Sequence, residues 1–510
     1  MGRRETVKTR ASLAVVGGCL LGMLAAPAFA QAPGSSTGPA GPNASNANQG
    51  LSTGAVSQAQ QELSGASGTP SGSGVAQDSF RGSVVTGTAT NGVIDLSLED
   101  AIQRGLQTNL GIILESSSEQ NANGQRLEQL QSLLPTVSGG AAISVQQLNL
   151  AAYGLKFPGL NPIIGPFQVT DFRAYLSQTL FNLTSLQNYL AAKHNFASAK
   201  FSAQDARDMV VLTVGNAYLL CVADEARIAA VRSELATSKL SLDQAVSAHD
   251  AGTSPRIDVL RAQVDYQNEQ QNLISTTNSL EKDKLALART IGLPLEQKFR
   301  LSDDVPYAAL DGIDPRTAFA DALKNRKDLQ ALNESVKASE AQKKAAWEQQ
   351  LPQADVSGNF GDQGQTAGHS HGTYTVNGEI TAPILQIAKT HGDEQVAGAQ
   401  FAQANARYQD QIQQVNADIQ DSILDIQAAA KLVEATKSNV ELATEALSEA
   451  QQRFHAGVSD NLPVSQAQTQ TEQANDQYIS ALYQHNVAKL SLARALGVAQ
   501  TRYKDYLGGK

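Results

Sequence analysis

The chain has 510 residues, a net charge of −10 and only 5% aromatic residues. No basic stripe accompanies this acidity, which argues against a nucleic-acid partner. Abundant Ala, Gln and Leu point away from several globular domains and towards long helices packed through small residues.

Arg3, Arg4, Lys8 and Arg10 precede an apolar run from Ala11 to Ala26, and Ala28-Phe29-Ala30 is a small-x-small cleavage site. Residues 1–30 therefore read as an export signal. Val16-Gly17-Gly18-Cys19 loosely resembles a lipoprotein cleavage box, but apolar residues continue past Cys19, so cleavage after Ala30 is expected. Removal of Cys19 leaves Cys221 alone, with no intrachain disulfide possible. Residues 31–92 are rich in Gly, Ser, Ala and Gln and poor in hydrophobes, and they read as a disordered linker.

The remainder is duplicated. Lys284-Leu285-Ala286-Leu287-Ala288-Arg289-Thr290-Ile291-Gly292 recurs 205 residues later as Lys489-Leu490-Ser491-Leu492-Ala493-Arg494-Ala495-Leu496-Gly497. Ala251-Gly252-Thr253 matches Ala456-Gly457-Val458 at the same offset, and Leu134-Pro135 matches Leu351-Pro352. Repeat 1 spans 93–300 and repeat 2 spans 301–500, followed by a tail, 501–510. Each repeat opens with a helix of about 35 residues. Ser97 and Asp100 stand at capping-box spacing in the first, and Asp314 with Pro315 starts the second. Leu134-Pro135 and Leu351-Pro352 end them.

Two strands per repeat follow, 136–150 and 167–181, then 354–360 and 374–384. Val137, Ala141, Ile143 and Val145 alternate with Ser138, Gly140, Ser144 and Gln146, which is the two-sided pattern of a strand crossing an outer membrane. A helix of about 70 residues comes next. In repeat 2 its seam is Ile412, Ile419, Ile426, Val433, Val440, Leu447 and Phe454, seven apart, with small residues three positions on. In repeat 1 it is Val214, Cys221, Ile228, Leu235 and Leu242, which makes Cys221 a packing residue. The chain reverses at each Ala-Gly and returns as a helix of about 40 residues, ending at Gly292 or Gly497. The opening and returning helices are each too short to cover the long one, so they are expected to stack end to end beside it. Four strands cannot close a barrel, and open strand edges are not tolerated in lipid, so several chains must contribute to one barrel.

This order of elements, over residues 93–500, resembles the TolC-type outer-membrane efflux proteins. The resemblance implies a mainly α chain with four strands and a homotrimer. Three chains then form a 12-stranded outer-membrane β-barrel with a periplasmic α-helical tunnel. It further implies a passive exit duct of a tripartite efflux or type I secretion system, opened by a periplasmic adaptor and an inner-membrane pump, with no catalysis and no cofactor. Ala251, Gly252 and Thr253 with Ala456, Gly457 and Val458 then fall at the periplasmic tip where adaptors dock. Two aspartates ring the aperture of the best-known member; Pro463 and Gln466 stand at the matching positions here, leaving Asp258, Asp460 and Gln466 as candidate aperture residues. His369-Ser370-His371 reads as a solvated inter-strand loop rather than a metal site, and Trp347 as either a membrane-interface anchor or an ordinary packing residue. The alternative reading is a non-channel periplasmic coiled-coil scaffold.

Overall fold

The computed structural model describes residues 77–155, 158–159, 161–303, 307–310 and 312–507. The export signal and most of the expected linker lie outside the described residues. Residues 77–92, expected to be part of the linker, instead form a strap on the folded body. A 3-10 turn, Gln77–Arg81, buries Phe80. The strap is then tied down by Val84 N–H to Thr108 O at 2.9 Å and Thr86 N–H to Gly292 O at 3.1 Å. Buried Gln297 accepts from Thr90 N–H at 2.7 Å and donates to Gly92 O at 2.8 Å. One apolar anchor and these main-chain bonds order a segment whose composition lacks a periodic face.

β1 (Ile94–Leu96) leads into α1 (Leu98–Thr108) and α2 (Leu110–Gln131). Ser97 caps α1 as expected, its hydroxyl accepting Asp100 N–H at 3.0 Å. The opening helix is not continuous, however. It breaks at Asn109, whose side chain accepts Gly111 N–H at 2.9 Å. After Leu134-Pro135 come the antiparallel strands β2 (Thr136–Asn149) and β3 (Ile163–Phe181), then α3 (Leu183–Asp250, 68 residues, on the order of 100 Å) and α4 (Arg256–Ile291). β4 (Phe299–Leu301) pairs in parallel with β1, a small sheet the sequence reading did not foresee.

Repeat 2 follows the same plan. α5 (Pro315–Asn325) and α6 (Lys327–Glu348) break at Arg326, after which come β5 (Gln353–Gly364), β6 (Ser370–Thr381), α7 (Ile387–His455) and α8 (Leu462–Ala495). Asp314 accepts from the N–H groups of Arg316 and Thr317, and Pro315 opens α5. A further helix, α9 (Ala499–Leu507), buries Tyr503 and Leu507 and was also unforeseen.

The short helices stack as their lengths required. α2 and α4 lie in turn along α3, while α6 and α8 lie in turn between α3 and α7. The seam positions hold this layer together: Val214, Cys221 and Ile228 are buried on α3, and Ile419, Ile426 and Val433 on α7. Further down α3 burial moves to the small positions, Ser238 and Ala245, where helices approach closely. Burial raises the Cys221 thiol to about 12, so it stays protonated and packs as a small hydrophobe. One 18-residue stretch of α3 is apolar enough to span a bilayer, yet half of it is buried against its neighbours, so packing accounts for its hydropathy.

Candidate functional site

The four long strands form one antiparallel sheet in the order β2-β3-β5-β6. Its register aligns Val137 with Leu176, Leu176 with Gly358, and Gly358 with Val376. Strand alternation then sorts the sheet into two faces. Val137, Ile143, Val145, Leu176, Phe172, Phe360, Val376 and Ile380 share one face, where Val376 is 72% and Ile380 79% exposed. Ser144, Gln146, Arg173, Asn359, Gln363, Thr375 and Asn377 share the other. There Arg173 pairs with Asp171 at 2.7 Å and donates to Gln363 Oε1 at 2.9 Å. Among the described residues neither outer edge, β2 or β6, has a partner strand. An exposed apolar face, an opposite polar face and two unpaired edges fit a segment of barrel wall with lipid outside and water within. Trp347, half exposed in the last turn of α6, stands just before β5. The segment between the strands expected at 354–360 and 374–384 is shorter than those bounds imply, because β5 extends to Gly364 and β6 begins at Ser370. His371 therefore faces Gln363 within the sheet, while His369 bonds Thr366 through Nδ1 at 3.1 Å.

At the far end of α3 and α7 the two reversals have the same geometry. Thr253 N–H reaches Ala248 O at 2.9 Å and Gly252 N–H reaches His249 O at 2.9 Å; Val458 and Gly457 repeat this on Arg453 and Phe454, both at 3.0 Å. This is a Schellman cap, whose closing residue needs φ > 0. Gly252 has φ of 74° and Gly457 of 70°. A Cβ at either glycine meets no atom within 4 Å, so conformation alone demands glycine there. Ala251, Thr253, Ala456 and Val458 are exposed beside them. A cavity of about 670 Å³, lined by Ser247, Thr253, Asp258, Phe454, Gly457 and Asp460 among others, brings the two tips together.

The candidate aperture residues divide. Asp460 and Gln466 are exposed where α8 begins. Asp258, expected beside them, is only 2% exposed and is committed to its own turn, accepting from Ser254 Oγ at 2.6 Å with Arg261 3.7 Å away. It is a helix-start residue rather than a free aperture carboxylate.

A cluster invisible to sequence reading lies further along the same hairpins. Glu234 on α3, Glu269 on α4 and Glu472 on α8 bring carboxylate oxygens within 4.8 Å of one another. Burial, and then the charges of Glu472 and Glu234, raise Glu269 to about 7. Glu234 and Glu472 are also raised, first by burial and then by neighbouring acids. Three helices from two repeats supply the three residues, so no spacing along the chain marks them.

The outer membrane efflux protein family profile matches residues 116–293 and 318–498, one stretch in each repeat. The toluene efflux pump outer membrane protein TtgC of Pseudomonas putida is 22% identical over 415 residues, covering 79% of this chain and 83% of its own. Outer membrane protein OprJ of Pseudomonas aeruginosa is 24% identical over 334 residues, covering 61% and 65%. Among solved structures, the outer membrane protein VceC of Vibrio cholerae superposes with a TM-score of 0.70 at 18% identity, over 78% of this chain and 96% of that one. The open-state MtrE channel of Neisseria gonorrhoeae gives 0.69 at 18% identity, over 82% and 95%. The duplicated helical layer, the open two-faced sheet and the matched profile lead to one conclusion: the chain belongs to the outer membrane efflux protein family, an exit duct in the outer membrane and not a periplasmic scaffold.

Proposed function

We propose that three copies of this chain close one twelve-stranded barrel, four strands from each, above a shared periplasmic tunnel. The observation that carries this is the sheet with two unpaired edges and an exposed apolar face. Two copies give eight strands, whose interior is filled by side chains, whereas barrel diameter grows with strand number and twelve enclose a wider interior. The helical layer supports the same closure. α4 and α7 at its two sides expose apolar side chains, Val264 and Ile274 on one and Leu424 and Leu442 on the other.

In this reading the duct is passive. A periplasmic adaptor docks at the tips, on Ala251, Gly252, Thr253, Ala456, Gly457 and Val458, and an inner-membrane pump drives transport. Asp460 and Gln466 line the entrance. Relatives named for toluene, antibiotic and pyoverdine export support small organic molecules as the cargo class over secreted proteins. The test is fractionation followed by mass measurement of the detergent-solubilised protein. A trimer from the outer membrane is expected; a soluble periplasmic monomer overturns the reading.

A further inference from the structure

The hairpin α3–α4 of repeat 1 and helix α8 of repeat 2 meet along a polar seam. Arg227 Nε donates to Asp476 Oδ1 at 2.8 Å and Arg227 Nη2 to Ser480 Oγ at 2.9 Å. Asn475 Nδ2 donates to Glu234 Oε1 at 3.0 Å, Asn272 Nδ2 to Glu472 Oε1 at 2.7 Å, and Gln468 Nε2 to Ser241 Oγ at 3.1 Å. Every one of these bonds crosses between the two repeats, so the seam must part for the hairpins to separate. At its centre lies a cavity of about 410 Å³, lined by Arg227, Glu234, Asn272, Glu472, Asn475 and Asp476 among others.

The three clustered glutamates sit on this seam. Glu234 Oε2 and Glu269 Oε2 are shielded from solvent and accept no hydrogen bond. Each is therefore a shielded acceptor without a hydrogen bond of its own, with the Asn272 amide the polar neighbour of Glu269, and the arrangement is costly while both carboxyls are charged. The charged groups facing them are Asp265 on α4, Asp476 on α8 and Arg227 on α3. Arg227 is committed to Asp224 at 3.1 Å and to Asp476 at 2.8 Å, and so does not neutralise the cluster.

We propose that Glu234, Glu269 and Glu472 form a proton-operated latch between the two hairpins, closed when the cluster holds a proton and loosened when it gives that proton up. With one carboxyl protonated, its O–H can serve an orphaned carboxylate oxygen and one repulsive charge disappears. With all three ionised, α4 and α3 are pushed from α8. The direction follows from linkage. Glu269 is held up to about 7 in the closed seam and returns to an ordinary glutamate value once water reaches it. The closed form therefore binds the extra proton. Acid favours closure, and that preference is lost as pH rises towards about 7. The latch responds to external acidity because it lies in the periplasmic part of the duct, and it rests on the duct reading above.

The test is single-channel conductance of the full-length protein in planar bilayers between about pH 5.5 and 8, where one-proton linkage permits a change on the order of tenfold in open probability per chain. The wild type is expected to open more at the alkaline end. Glu269→Gln mimics the protonated carboxyl and is expected to stay at the low, acid level with no pH response. Glu234→Gln and Glu472→Gln, each removing one repulsive charge, are expected to shift the midpoint and preserve the response if Glu269→Gln fails to assemble. Conduction that ignores pH in the wild type overturns the latch, as does an unchanged pH response in all three variants. Closure by magnesium at about pH 8, with EDTA abolishing the pH response, would make the cluster a cation site and overturn it too. A protein that conducts at no pH overturns the duct reading and the latch with it.

Discussion

Asn109 and Arg326 stand at equivalent positions in the two repeats, 217 residues apart, and each breaks its opening helix with an extended ψ, 133° and 123°. The duplication has kept the break and replaced the residue that holds it. Asn109 is fixed by the strap, donating from Nδ2 to Phe80 O at 2.6 Å. Arg326 is fixed by charge, donating from Nε to Asp328 Oδ1 at 3.0 Å and from Nη1 to Asp418 Oδ2 at 3.1 Å.

Arg326 is almost fully buried, so Arg326→Met leaves Asp328 and Asp418 partly desolvated without their cation. A loss of about 3 kcal/mol is expected, as for breaking a buried pair from one side. Thermal denaturation followed by circular dichroism checks this. An unchanged melting temperature shows that water replaces the guanidinium without cost.

Phe80 is 7% exposed and lies against Gly111, where a Cβ would come within 2.4 Å of its ring. Phe80→Ala is expected to cost about 3 kcal/mol. Deletion of residues 31–72 leaves the strap intact and is expected to preserve assembly. Equal melting temperatures for wild type and Phe80→Ala would remove the strap from the account.

His485 is fully buried with neither ring nitrogen bonded; its ring centroid lies 4.8 Å from that of Tyr307, the two rings tilted by 42°, and it neighbours Lys489, whose Nζ donates to Ala308 O at 2.9 Å. Burial, then the Lys489 charge, lowers His485 to about 4. The unfolded chain takes up this proton near 6.5, so the contribution of His485 to stability is full above that value and is lost as pH falls from there towards about 4. Between pH 7 and 5 the loss is about 2 kcal/mol. His485→Phe keeps the ring contact and removes the titration, so its melting temperature should fall less on acidification than that of the wild type.

The faces of the sheet predict opposite tolerances. Val376→Arg places a charge on the apolar face and is expected to cost about 2–4 kcal/mol if it lies near mid-membrane. Ser144→Arg, on the polar face, is expected to insert normally. The fraction of each variant recovered in outer membranes decides; equal recovery would mean that the faces are assigned the wrong way round.

The tips are tested by Gly252→Val combined with Gly457→Val. A β-branched residue at φ near +70° is strained by roughly 1–2 kcal/mol per site. Each site lies on the order of 100 Å along a helix from the sheet. Barrel insertion should survive while adaptor recruitment and export fall. Normal export in the double variant would leave the docking proposal without support, and so would failed insertion.

The sequence by itself determined the duplication, the element order, the four strands and the heptad seams. These follow from periodicity, from proline at 135 and 352, and from glycine at 252, 292, 457 and 497, all of which act within a few residues of chain. It did not determine the breaks at Asn109 and Arg326, because the local contacts there, Asn109 with Gly111 and Arg326 with Asp328, are completed by distant partners, Phe80 and Asp418, that only the fold supplies. β1 and β4 are three residues each, too short to show alternation, and exist because the fold brings them side by side. Asp258 reads as a free carboxylate until the turn folds Ser254 over it. The meeting of Glu234, Glu269 and Glu472 was decided by tertiary structure alone, because their proximity depends on how two hairpins pack and not on any interval between them.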